Sequence, residues 1–433
     1  MAIVKRPISV ALLETAIEKI ESNEPALSRE LTRYLERYNN TSGFHHAELK
    51  LSNEREGSTP LANNRGYTSS SDYTASLSGH LYQNNWLALN LGVISGQREP
   101  NSNEESPQET FPDGTYLSFG WDAMQLDFGY RPHWLGPFQE SDMLFSTNTT
   151  SLPGITISNT TPANFLGFQY EMFFLEISES NVIRSQDRSE RLQGKPKLFG
   201  LHLGFHPLPG FAIGFNRLAQ YGGADREDGL GDIAQALYNP RRNDNSGGEE
   251  ENDFGNQLSS ITTRFTFSGE RPISIYMEYA GEDTSFSSKY AFSNSALMFG
   301  FHAPQIADSL DFTYEFAEWQ NAWYTNGNYG DGLTHYNSVL GHWGGDRRAI
   351  NDSVGATAET IKLVWDLNRN SLLTTKIQSL KNKSYSTHQY ETNQELALSY
   401  STQIQKCWLN IELVKGEDVF GESYQLLSGG IQW

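Results

Sequence analysis

The residues best suited to bind a ligand are concentrated in one long segment between two predicted strands, Trp319 to Thr357. A sugar ring presents an apolar C–H face and a rim of hydroxyls, so aromatic faces combined with Asn, Asp, Arg or His side chains can bind it. The alternative for each aromatic is a structural role, in folding the segment or at a membrane interface. We predict that the segment binds carbohydrate through Trp319, Trp323, Tyr324, Tyr329, His335, Tyr336, His342, Trp343, Asp346 and Arg347.

A second candidate region is the stretch from Tyr130 to Pro137, which leaves a predicted strand and contains two prolines and a glycine. These residues prevent the strand from continuing, so the stretch begins a loop. Arg131 and Trp134 either anchor this loop or contact the same ligand, and anchoring is the preferred interpretation.

Motifs for catalysis are absent from the sequence, which contains no G-x-S-x-G, no H-E-x-x-H and no phosphate-binding glycine loop with its lysine. Glu282 and Asp283 are adjacent, but a glycosidase pair depends on a separation in space that sequence does not provide. The acidic run Glu249 to Asp253 lacks the spacing of a calcium-binding EF-hand, and a solvated loop is favoured. We predict no enzymatic activity, no cofactor and no bound metal.

Two kinds of element surround these candidate residues. Apolar residues recur at helical spacing in Ile8 to Glu21 and in Pro25 to Arg37, which predicts a short helical hairpin. From Phe44 onward the period changes to two, as in Leu87 to Val93 and Leu310 to Phe316. Each predicted strand therefore has one apolar face and one polar face.

The connections between predicted strands distinguish a membrane barrel from a soluble sandwich. Short links such as Asp122 to Ala123 alternate with long ones such as Pro132 to Ala163, as in outer-membrane barrels with turns on one rim and loops on the other. Counting Phe165 to Ile177 as two short strands brings the total to about 18. We predict an all-β, transmembrane antiparallel β-barrel over residues 43–433, with residues 1–42 as a helical plug or cap at the periplasmic mouth.

Charged residues on the polar face of a membrane barrel must face the lumen, because ionised groups in hydrocarbon are costly. The predicted lumen contains both signs of charge, which is compatible with a wide channel or with a closed network, and the N-terminal helices favour the closed form. The predicted lumen residues include Glu48, Lys50, Asp127, Arg131, Glu176, His202, Arg264, Glu278, Glu315, Lys362, Asp366 and Glu412.

The overall composition limits the classes of molecule that the protein is expected to bind. The formal net charge of −20 argues against nucleic acid, whose binding depends on lysine and arginine. The single cysteine, Cys407, excludes an intramolecular disulfide.

Residues 1–7 lack the apolar region of a secretory signal, and we expect that a signal was removed. The last strand ends on Trp433, which resembles the signal that the outer-membrane insertion machinery recognises.

The chain resembles the Wzi family of outer-membrane capsule-assembly proteins from the helical N-terminus to the final strand. The segments that carry the resemblance are Arg131–Pro137, Phe205–Pro207 with Ile213–Arg217 and Gly222–Gly223, Gly255–Gln257, Tyr279–Asp283, Tyr314–Glu315, and Gly341–His342 with Gly345–Asp346.

The resemblance implies an 18-stranded barrel with a periplasmic helical bundle, acting as a lectin that binds capsular or extracellular polysaccharide and assists capsule attachment. The implied partners are this polysaccharide, outer-membrane lipid and lipopolysaccharide, and the insertion machinery, for a monomer in the bacterial outer membrane. A porin-like channel for sugars or anions is the main alternative, and a surface hydrolase or deacetylase is the second.

Overall fold

The computed structural model describes residues 3–21, 25–53, 65, 72–97, 108–229, 231, 233–234, 237, 254–282, 284–285, 288–349 and 352–433. The acidic run Glu249 to Asp253 and the residue Asp283 lie outside this range.

The predicted helical hairpin is present as α1 (Val10–Ile20) and α2 (Pro25–Asn39). The hydroxyl oxygen of Ser9 accepts a hydrogen bond from the Leu12 N–H at 3.2 Å, which satisfies one of the free amides at the start of α1. A proline opens α2, where its fixed φ suits the first helical turn. Among the described helices, none combines the length and the apolar character that crossing a membrane requires.

The largest sheet of the described chain is antiparallel and closed. Its strands are β1 (Gly43–Ser52), β2 (Tyr73–Gln83), β3 (Leu87–Gln97), β4 (Gln108–Phe111 and Tyr116–Trp121), β5 (Met124–Gly129), β6 (Gly154–Ser158), β7 (Gln169–Glu176), β8 (Lys197–Leu208), β9 (Phe211–Tyr221), β10 (Gly255–Phe267), β11 (Ile273–Glu282), β12 (Ser295–Ala307), β13 (Leu310–Trp319), β14 (Ala356–Asn368), β15 (Ser371–Asn382), β16 (Asn393–Ile404), β17 (Cys407–Glu417) and β18 (Ser423–Gln432).

The sheet closes between its first and last strands, where Leu49 of β1 pairs with Ile431 of β18. The two segments of β4 both pair with β3, so the 19 segments of the sheet form 18 barrel strands. Closure satisfies the backbone groups that an open edge would expose to lipid. The predicted barrel of about 18 strands is therefore confirmed.

The strand assignment around residue 160 was partly wrong. Phe165 to Ile177 does not form two strands, because positive φ angles at Leu166 (49°) and Gly167 (60°) place a turn before the single strand β7. The missing strand is β6, which lies within the predicted loop Pro132 to Ala163. This strand has only five residues, too few for a clear alternation of apolar and polar side chains.

The barrel has two chemically different faces, as its sequence period predicts. Met277 and Tyr279 are 44% and 47% exposed on the outer, lipid-facing side, whereas Glu278 between them is fully buried in the lumen. The prediction that Glu176 faces the lumen was wrong. Glu176 lies two positions after the outward residue Phe174, on the same face of the strand. It forms an ion pair with Lys195, with an Nζ–Oε1 distance of 2.8 Å.

The two rims differ as predicted. Connections such as residues 122–123, 209–210 and 369–370 are short and lie with α1 and α2 at one end, here called the turn rim. The long connections lie at the other end, here called the loop rim. The described residues of two of them, 130–153 in the first and 320–349 with 352–355 in the second, fold back into the lumen and form a packed plug.

Within the lumen, an apolar core forms where this plug packs against the barrel wall. Leu135, Phe138 and Trp323 have no exposed surface, and they pack with inward residues such as Tyr276 of β11. Tyr276 lies across Gly300 of β12, where a Cβ atom would come within 1.9 Å of the ring. This part of the lumen is thus packed like the interior of a soluble protein.

Replacing Gly300 with valine is expected to lower the free energy of unfolding by about 1–3 kcal/mol, since the added side chain must displace the Tyr276 ring. Urea unfolding followed by tryptophan fluorescence measures the change. Gly269→Ala is the matched control, because no atom lies within 4 Å of the added Cβ. Equal stability of the two variants would contradict this packing.

Candidate functional site

The plug is anchored at Glu171, an inward residue of β7 with no exposed surface. Its carboxylate receives the Lys5 ammonium at 3.1 Å, the Arg131 guanidinium at 2.9 Å and the His133 Nδ1–H at 2.8 Å. Arg131 also forms an ion pair with Asp127 at 3.1 Å. Two carboxylates thus lie against one lysine and one arginine, and such pairing is what burial of charge requires.

The segment before α1 enters the lumen beside this cluster. Arg6 and Trp134 exchange both backbone hydrogen bonds, at 3.0 and 3.1 Å, and the Arg6 guanidinium lies 5.0 Å from the centroid of the Trp134 ring. The predicted site residues Arg131 and Trp134 are therefore buried inside the barrel, where their contacts fit the anchoring interpretation.

The predicted aromatic segment lies largely inside the plug. Trp319, Trp323, Tyr324 and Trp343 are at most 1% exposed, so their rings contact protein rather than solvent. His342 lies between Trp319 and Trp343, with ring centroids 5.1 and 5.0 Å away. Burial lowers the pKa of His342 to about 3, so its ring is neutral and Nδ1 accepts a hydrogen bond from the Gly344 N–H.

Hydrogen bonds join the two plug loops into one unit. The Asp346 carboxylate accepts from the Asn148 amide at 2.7 Å and from the Val339 N–H at 2.8 Å. The Tyr324 hydroxyl donates to the Met143 carbonyl at 2.6 Å. Arg347 is half-buried, and its backbone carbonyl accepts from Asn382 of β15. Side-chain hydrogen bonds therefore connect the second loop to the first.

A short hairpin carries part of this plug to the loop rim. Residues 334–335 pair with residues 338–339, and the two residues between them, Tyr336 and Asn337, have φ angles of 48° and 67°. Positive φ at both positions is the type I′ turn, whose twist suits a two-residue hairpin. The hairpin is held by Ser178, whose Oγ accepts from the Tyr336 N–H at 2.8 Å and whose N–H donates to His335 Nδ1 at 3.0 Å.

A cleft of about 480 Å³ opens beside this hairpin, within the range of roughly 300–1,000 Å³ usual for ligand pockets. The Tyr336 ring lies 4.7 Å from the Phe111 ring at the end of the first segment of β4 and 4.5 Å from the His335 ring. The cleft, here called the Tyr336 cleft, is lined by Phe111, Tyr130, Pro153, Glu176, Ile177, Ser178, Glu179, Ser180, Lys195, Pro196, Gln220, Tyr329, Asp331, Gly332, Thr334, His335, Tyr336 and Asn337.

The Tyr336 cleft includes three of the predicted site residues, namely Tyr329, His335 and Tyr336. The sequence-based selection missed Phe111 and Lys195, which come from other connections and meet the hairpin only in the folded barrel. Asn337 was also missed, although its position beside Tyr336 was a signal that could have identified it.

Replacing Glu171 with glutamine is expected to cost about 3–5 kcal/mol of stability, because Lys5 and Arg131 would then face a single buried carboxylate. Urea unfolding and proteolysis of residues 130–153 measure the loss. Glu176→Gln on the same strand is the control, because it removes only a half-exposed ion pair worth about 0–1 kcal/mol. If both variants unfold at the same urea concentration, Glu171 does not anchor the plug.

Comparisons with known proteins agree with this architecture. The family model of the capsule assembly protein Wzi matches residues 53–416. The Escherichia coli outer-membrane protein Wzi, described as a carbohydrate-binding β-barrel involved in group 1 capsule assembly, is 18% identical with a TM-score of 0.73, covering 100% of this chain and 94% of its own.

More distant neighbours share the barrel fold. OccK3 of Pseudomonas aeruginosa is 10% identical with a TM-score of 0.51, covering 92% of this chain and 98% of its own. Acinetobacter baumannii OccAB2 has the same identity and TM-score, with coverages of 90% and 97%. A comparison with curated protein sequences gave no match. The family match covers most of the chain, and the protein is therefore an outer-membrane β-barrel that belongs to the Wzi capsule-assembly family.

Proposed function

We propose that this protein is a lectin that binds capsular or extracellular polysaccharide at the cell surface and assists capsule attachment and assembly. The observation that carries the proposal is the Tyr336 cleft, in which aromatic rings and polar side chains meet on the loop rim. The E. coli relative is described as carbohydrate-binding, which supports the same class of ligand here.

The cleft has the groups that a sugar requires. The half-buried rings of Tyr336 and Phe111 can pack against the C–H face of a pyranose, while the side chains of Asn337 and Asp331 can bond its hydroxyls. The fully buried residues of the predicted site, including Trp319, Trp323 and Trp343, would act by positioning the hairpin. We propose binding without chemical conversion of the polymer.

We further propose that residues 1–42 close the turn rim. The Ser9 hydroxyl donates to the carbonyl of Thr160, and the Gln83 amide donates to the carbonyl of Tyr38. At the end of α2, the carbonyl of Asn40 accepts from His80 Nε2 at 2.7 Å. These contacts attach the N-terminal segment to β2 and to the connection that follows β6.

The channel alternative is favoured by one observation, a lumen cavity of about 660 Å³ beside the plug, lined by charged residues such as Lys50, Lys376 and Glu412. Planar-bilayer recording separates the two functions. With the plug and the helices in place, we expect no large steady conductance, and a large steady current would favour the porin-like channel.

Replacing Tyr336 with alanine is expected to weaken polysaccharide binding roughly fivefold to tenfold, because the stacking surface is lost. Affinity electrophoresis or biolayer interferometry with capsular polymer from the producing strain measures the effect. Tyr336→Phe should retain most of the affinity, since it keeps the ring.

The matched control is Phe165→Ala, which removes a 72% exposed ring at the turn rim. Its polymer affinity should equal that of the unmodified protein. If Tyr336→Ala also binds with unchanged affinity while the barrel remains folded, the Tyr336 cleft is not the binding site.

A further inference from the structure

We propose that the Tyr336 cleft selects an uncharged segment of the polysaccharide and discriminates against sugar units that carry carboxylates. This inference rests on the proposed function, and it adds the chemical class of the sugar that the cleft takes.

The first argument is the charge balance of the cleft. Its described lining residues include three carboxylates, Glu176, Glu179 and Asp331, and one ammonium group, Lys195. Lys195 is engaged by Glu176, with Nζ 2.8 Å from Oε1, and this pairing raises the pKa of Lys195. Two carboxylates therefore remain in excess.

The histidine in the cleft does not offset this excess. His335 Nδ1 accepts a hydrogen bond from the Ser178 N–H at 3.0 Å, so that nitrogen carries no proton and the ring is neutral. Glu179 and Asp331 are both exposed, and among the described residues neither takes part in an ion pair. Lys195 is the one cation among the described lining residues and is paired with Glu176, so a carboxylate on the sugar would meet an excess of negative charge.

The second argument is hydrogen-bond complementarity. Carboxylates only accept hydrogen bonds, and sugar hydroxyls can donate to them. Hydrogen bonds to charged groups are stronger than those between neutral groups, so neutral hydroxyls gain from Glu179 and Asp331. A uronate carboxylate has no proton to donate near neutral pH, and it would lose these bonds as well as meet repulsion.

The third argument concerns the apolar side of the cleft. The Phe111 and Tyr336 rings lie 4.7 Å apart and inclined by 52°, and together with Pro153 they add apolar surface to the cleft that the acidic residues also line. An uncharged pyranose can place its C–H face on this surface and its hydroxyls toward the carboxylates. Both kinds of group line one cleft, so an uncharged sugar can use both of them.

The experiment uses three forms of capsular polymer from the producing strain: carboxyl-reduced, native, and oxidised at its primary hydroxyls to add carboxylates. Binding to the full-length protein is measured by biolayer interferometry at low salt. We expect affinity to fall as carboxylate content rises, by roughly threefold to tenfold between the extremes. The difference should shrink at high ionic strength, because salt screens charges in an open cleft.

The double variant Glu179→Gln with Asp331→Asn should lose most of this discrimination. The matched control, Glu391→Gln with Glu417→Gln, removes the same charge from exposed positions on the rim between β15 and β18, and it should discriminate as the unmodified protein does. This control separates a local effect from the field of the net charge of −20.

The outcomes distinguish the two proposals. If affinity is equal for all three forms, or rises with carboxylate content, the inference is wrong while the lectin function stands. Retained discrimination in the Glu179/Asp331 variant would also overturn it. If none of the three polymer forms binds, the proposed function fails and this inference fails with it.

Discussion

The buried carboxylate of Glu171 connects three parts of the molecule: the segment before α1, the first plug loop and the barrel wall. The membrane imposes this arrangement, because charged side chains of a barrel can face only the lumen. A lumen charge that loses water needs a partner of opposite sign. Lys5 and Arg131 meet that need, and in doing so they tie separate regions of sequence to one point.

A packed plug follows from this anchoring. Aromatic residues from the second plug loop pack into the lumen, and Trp323 and Trp343 become core residues although they lie in a connection. Asp346 and Tyr324 then join the two loops by hydrogen bonds. The packed plug therefore supports the hairpin at Tyr336 from the lumen side. A supported hairpin suits a binding surface better than a free loop would.

The same solvent constraint explains why much of the barrel could be predicted from sequence. Hydrocarbon outside and polar groups inside impose a period of two on every long strand, so segments such as Leu310 to Phe316 were recognisable. The short strand β6 was not, because its five residues carry too little pattern. Glu176 was assigned to the lumen because polarity alone does not show where a strand leaves the membrane.

By itself, the sequence determined the barrel class, the helical hairpin and the segment rich in aromatic residues, since these depend on local periodicity and composition. Only the tertiary structure decided which aromatics are buried and which reach the loop rim. Trp343 and Tyr336 are seven positions apart in the same loop, yet one is enclosed by the plug and the other lines the cleft. That difference arises from contacts with residues far away in sequence, such as Phe111, whose proximity no local pattern encodes.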